Sequence, residues 1–182
     1  MREKDYETGL AEARRLAQEP TLASGLMLLH RARWDDLDSD LNVLGCTLWS
    51  AVPEAARGIV EAKVNDFKKI EQWTAARHSA VHEEEVAWLR RQTAQVASGS
   101  MGKRRLLVAT HHAPCVEGTS RPEHVANPWT PAFATDLVDQ DRWEGARTWV
   151  FGHTHFRPNS LATESSWSPI SEATCCLGAE CQ

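Results

Sequence analysis

Two short stretches hold the groups in this sequence best placed to do chemistry. In "RTWVFGHTH", Arg147 to His155, an apolar run ends at Gly152 and leaves His153 and His155 two residues apart. In "RLLVATHHAP", Arg105 to Pro114, a second apolar run ends directly on His111 and His112. Side chains two apart on an extended backbone point to the same side, so His153 and His155 offer a pair of imidazoles to one ligand. Gly152 permits a tight turn and a close approach of the chain. Neutral imidazole is the commonest side-chain ligand for zinc and similar ions, and histidines converging from two strand ends make a partial metal shell. With eight histidines in 182 residues a His-x-His pair arises readily by chance, and the weight comes from the second junction of the same kind. Ligands of open α/β sheets bind at the carboxyl ends of strands, where both histidine groups fall.

The elements that must position these groups alternate. Tyr6, Leu10, Ala13 and Ala17 recur at helical spacing and predict an amphipathic helix over 4–18. "LNVLGCTLW", Leu41 to Trp49, is a compact apolar run with Gly45 inside it and predicts a buried strand. Pro53 occupies a favoured helix-opening place. Val86, Leu89 and Val96 share one face of a helix over 82–96, with Glu83, Glu84 and Glu85 as its acidic first turn and Arg90 and Arg91 later. A turn over 98–104 leads into the strand that starts at Arg105. A proline-punctuated loop over 114–131, a short helix around Ala132 to Val138 and a strand from Thr148 to Phe151 complete the order αβαβαβ, an α/β fold. Beyond Arg157 there is no lysine or arginine, and the tail 158–182 shows neither helical nor strand periodicity, so it is expected to be poorly ordered.

Composition narrows the function classes. The chain is 42% hydrophobic and 25% charged, which suits one globular domain able to bury a core. A net charge of −5 without a continuous basic stripe argues against capture of nucleic acid. No apolar run approaches the roughly 20 residues of a membrane span, and the charged N-terminus lacks a signal-peptide core, which points to a cytosolic or nuclear protein. Five cysteines, an odd number, fit reduced thiols better than a disulfide framework; Cys175, Cys176 and Cys181 lack the paired spacing of a zinc module. His78 and His82 share a helix face, but "HSAVH" lacks the glutamate of the zinc-protease motif, and a solvated face is expected. Asp66 and Asp136 could reach the histidines, although such acids more often cap helices or stay solvated. Arg157 could meet a phosphate, although an arginine beside a loop is usually just exposed. The eight tryptophans read as core or half-buried anchors.

"VATHHAP", Val108 to Pro114, and "VFGHTHF", Val150 to Phe156, resemble the last two metal-binding motifs of the calcineurin-like metallophosphoesterases. "LGCTLWS" at Leu44 to Ser50, "VNDFKKIEQWT" at Val64 to Thr74 and "FATDL" at Phe133 to Leu137 are similar to a fungal and bacterial subgroup of that family. The resemblance spans about 4–157, with 158–182 as a divergent tail. It implies part of a layered β-sandwich flanked by helices. The implied reaction is hydrolysis of a phosphomonoester or phosphodiester, on a small molecule or a phosphoprotein. It further implies two metal ions, iron, manganese or zinc, with His111 and His153 on one and His155 on the other; His112 is the alternative to His111. The Asp-x-His, Gly-Asp-x-x-Asp and Gly-Asn-His motifs that precede this region in the family do not occur in the sequence. The expectation is therefore the C-terminal half of such an enzyme, an incomplete member inactive alone. The competing expectation is a non-catalytic metal-binding or interaction protein that uses three histidines for one ion.

Overall fold

A computed structural model of the chain describes residues 4–22, 25–99, 104–124, 126–138, 143, 145–154 and 173–176. The elements in order are β1 (Lys4–Asp5), α1 (Tyr6–Ala17), β2 (Ala32–Asp35), β3 (Leu41–Cys46), α2 (Arg57–Lys63), α3 (Asp66–Lys69), β4 (Ile70–Glu71), α4 (Ala75–Ala97), β5 (Arg105–Thr110), β6 (Ala146–Phe151) and β7 (Ala173–Cys176). The protein is mixed α/β. Its main sheet has the order β2-β3-β5-β6-β7, with β3, β5 and β6 parallel and the two outer strands antiparallel to their neighbours. β1 and β4 form a separate two-stranded pair.

The three parallel strands coincide with the compact apolar runs of the sequence. Alternation along them sends Leu44 and Cys46, Leu106 and Val108, and Trp149 to the face covered by α4, where they pack with Val86, Leu89 and Val96. Trp149 is completely buried, and its indole N–H donates to Thr110 Oγ1 at 2.9 Å, which satisfies its one polar group. On the opposite face Val43, Leu107, Ala109 and Val150 are half-buried. Gly45 lies where the chain crosses this face: a Cβ there would stand 2.5 Å from Leu29 Cβ. Gly45→Ala should destabilise the fold by about 1–3 kcal/mol, the usual cost of overpacking; an unchanged urea midpoint would show that the segment around Leu29 yields freely.

Several expectations are corrected. Helix α4 begins at Ala75, capped by Thr74, whose side chain accepts from Arg77 N at 3.1 Å. Glu83, Glu84 and Glu85 therefore lie in mid-helix, and Glu85 is fully buried. The short helix expected around Ala132 to Val138 is absent. A 3-10 turn at Thr130–Ala132 stops there, because the backbone beyond it bonds instead to the segment after β5: Ala113 N to Phe133 O, Thr135 N to Ala113 O and Leu137 N to Pro114 O. Strand β2 was not anticipated. Within the tail, Ala173–Cys176 forms β7 by borrowing the open edge of β6; the rest of the tail, and Arg157, lie outside the described residues. Helix α1 follows expectation, with Tyr6, Leu10, Ala13 and Ala17 the half-buried stripe and the flanking charges exposed. Cys46 is a buried free thiol. No helix among the described residues is long and apolar enough to cross a membrane.

Candidate metal centre

The carboxyl ends of β3, β5 and β6 are tied into one edge. Thr47 O, just past β3, accepts from both His111 N at 3.2 Å and His112 N at 3.0 Å. His111 O in turn accepts from Gly152 N at 3.2 Å, just past β6. The chain is strained along this edge: Leu48, Trp49 and His153 have φ of 69°, 31° and 63°. A left-handed backbone in residues as bulky as Leu48 and Trp49 costs of order 1–3 kcal/mol each and clusters at functional sites.

His111, His112 and His153 converge here, with one ligand nitrogen of each inside a set whose members are all within 4.8 Å of one another. His153 Nδ1 and His111 Nε2 are 2.8 Å apart, and the rings of His112 and His153 stack at 4.5 Å. Two imidazole nitrogens on one tetrahedral zinc ion are about 3.3 Å apart, given bonds of about 2.0–2.1 Å. The cluster's spacings bracket that value, so small movements would convert it to a coordination set. His112 is 1% exposed, and its Nδ1 is buried with no hydrogen-bond partner. A buried imidazole nitrogen without a hydrogen-bond partner retains a lone pair or an N–H that the protein itself does not satisfy. Burial holds the His112 pKa well below the usual imidazole value, reinforced by His153, His78 and His111. The ring is thus neutral, the form that binds metal.

The structure brings both His111 and His112 into the cluster, and His153 with them. His155 lies outside the described residues. Asp66, at the start of α3, is half-buried; burial raises its pKa, and His111 is the one group whose charge lowers it again. Asp66 itself is not one of the group whose ligand atoms lie within 4.8 Å of one another. Asp136 does not join it: its carboxylate accepts from Val116 N at 2.7 Å and braces the loop after β5.

His78 and His82 overturn the expectation of a solvated helix face. Both are buried, His78 at 0% exposure, because that face of α4 packs under the strained turn after β3. Ser50 N donates to His78 Nε2 at 3.1 Å, and His82 Nδ1 lies 2.7 Å from Leu48 O. Burial drives the His78 pKa down to about 3. Its ring stands edge-on to His112 at 5.8 Å, behind the cluster as a neutral buttress. The polar residue types of "HSAVH" conceal this role; the positive-φ turn that demands it has no signature in the sequence.

Among the described residues the donor set is three imidazoles, which fits one ion such as zinc or iron. Among the described residues no carboxylate joins it to balance a second cation, and two ions without anionic ligands repel strongly at close range. No protein-family model, curated protein or solved structure matches the chain.

Proposed function

We propose that this chain is the metal-holding part of a phosphoester hydrolase, with His111, His112 and His153 holding a zinc, iron or manganese ion. The observation that carries the reading is their convergence at the carboxyl edge of a parallel sheet, with one ligand nitrogen of each within 4.8 Å of the others. The half-buried apolar residues Val43, Leu107 and Val150 on the face opposite α4 suit a further layer, in keeping with a layered sandwich. An ion there supplies Lewis acidity toward a phosphoryl oxygen and acidifies a water molecule. The protein's own contribution is to hold His112 neutral and fixed by burial and to set His153 by its left-handed backbone. Asp66 is coupled to His111 electrostatically without being one of the ligand group. The substrate class is a phosphomonoester or phosphodiester, on a small molecule or a phosphoprotein.

Titration calorimetry of the apo chain with zinc, manganese and anaerobic ferrous iron tests the first half of this reading. One ion per chain is expected, and His111→Ala should weaken binding by more than about 100-fold, since even second-shell losses cost 10–100-fold. Release of 4-nitrophenolate from 4-nitrophenyl phosphate and its diester tests the second half. The absence of a carboxylate from the three-donor set favours a second reading, a metal-binding protein without turnover. One bound ion with no metal-dependent release selects it; no bound ion refutes both.

A further inference from the structure

A cavity of about 410 Å³ opens beside His153, between the loop after β5 and the end of β6. Its size lies within the roughly 300–1,000 Å³ of small-molecule sites. Trp129 and Phe133 form part of its wall, and the Phe133 ring is 4.9 Å from that of His153. The two rings bracket the 3-10 turn Thr130–Ala132, where Ala132 N bonds to Trp129 O at 3.0 Å and Phe133 N to Thr130 O at 2.9 Å. They are therefore carried on a hydrogen-bonded frame rather than on a loose loop. Ser120, Asn127 and Thr154 add hydroxyl and amide groups to the lining, and Thr154 Oγ1 is buried with no hydrogen-bond partner. Among the described residues of the lining there is no lysine, arginine, aspartate or glutamate.

We infer that this cavity receives an uncharged aromatic group attached to the phosphoryl group of the substrate, so that the chain acts on aryl or heteroaryl phosphoesters. The inference rests on the phosphoester reading above and names its substrate class. Aromatic walls favour a flat ring, by stacking or edge-to-face contact. A charged group is disfavoured because burial without a paired partner is costly. The unpartnered Thr154 hydroxyl and the Asn127 amide offer hydrogen bonds that a heteroaromatic edge can use. His153 belongs to both the metal cluster and the cavity wall, which puts the ring and the phosphoryl group one bond or a few bonds apart.

The test compares phenylphosphonate with methylphosphonate, both non-hydrolysable, by calorimetry on the zinc-loaded full chain. Phenylphosphonate should bind at least about tenfold more tightly, equivalent to about 1.4 kcal/mol. Trp129→Ala should bring its affinity down to that of methylphosphonate. Ser120→Phe, which fills the cavity from its half-buried rim, should do the same if removal of the indole prevents folding. Equal affinities for the two phosphonates in the unaltered chain would overturn the aromatic cavity and leave the phosphoester reading standing. If neither phosphonate binds the zinc-loaded chain, the phosphoester reading fails, and the substrate class falls with it.

Discussion

Zinc at a thousand times its dissociation constant should stabilise the folded chain by about 4 kcal/mol, and His153→Ala should remove nearly all of that gain. For a chain of this size the stabilisation corresponds to an upward shift of roughly 8–16 °C in the unfolding midpoint. His153 is the informative position because it is half-buried, whereas His112 is 1% exposed. Truncating His112 would open a void in the core and lower stability with or without metal. Truncating His153 removes a ligand while the apo midpoint should move little. Differential scanning fluorimetry of both proteins, with zinc and with chelator, gives the answer. A variant that keeps the full zinc shift would place the ion elsewhere and dissolve the proposed centre.

Glu85→Gln should stabilise the protein at pH 8 by up to about 3 kcal/mol and leave it nearly unchanged at pH 4.5. Glu85 is 0% exposed in mid-helix α4; neither carboxyl oxygen makes a hydrogen bond of good geometry, although the backbone of Thr47 and Leu48 lies close enough to favour the charged form somewhat. The groups around it are Tyr6 from α1, His30 and Arg31 from the segment before β2, Cys46 from β3, and Glu84. Burial pushes its pKa up from 4.5 to about 7, with Arg31 pulling the other way. His30, whose Nδ1 is 3.9 Å away, is itself held below its usual value by burial. Both partners therefore favour their neutral forms, and the contact is not an ion pair around pH 6. Below pH 4.5 the folded and unfolded chains both keep the Glu85 proton, and the stability is fully present. Between 4.5 and about 7 only the folded chain keeps it, so stability falls as pH rises; above about 7 the loss is complete. A rise from 4.5 to about 7 is worth about 3 kcal/mol. Glutamine imitates the protonated acid and cannot ionise, so its profile should be flat across this window. Urea unfolding at several pH values decides it; parallel profiles for the two proteins would show that Glu85 is not the titrating group.

The parts of the fold that could be read from the sequence are those where one residue pattern serves one purpose. β3, β5 and β6 are buried on at least one face along their whole length, and their apolar runs announce them. β2 is the four residues "ARWD" at the sheet edge, with Arg33 and Asp35 on an element too short to show a period. It exists because Leu44 and its neighbours offer an unpaired ladder. The start of α4 was missed because "AARHSAV" mixes polar and apolar residues, although Thr74 was a legible cap. The histidine edge was legible as two strand-then-histidine junctions. Which of His111 and His112 took part was not, because the chain turns immediately after Thr110 and alternation no longer assigns a side. The cavity wall at Trp129 and Phe133 was hidden for a different reason: it depends on a loop whose backbone bonds are to a distant segment.

The tying of three strand ends through Thr47 and His111 also bears on the order of assembly. His111 and His153 are 42 residues apart in the chain, and they meet through the pairing of β6 with β5, which itself lies against β3. Closing such loops costs entropy before any contact repays it, so the imidazoles meet only when the parallel sheet is nearly complete. An ion that needs all three cannot seed folding. Its capture rate during refolding should follow the slowest sheet-forming phase, which makes zinc uptake a clock for the finished sheet rather than a template for it.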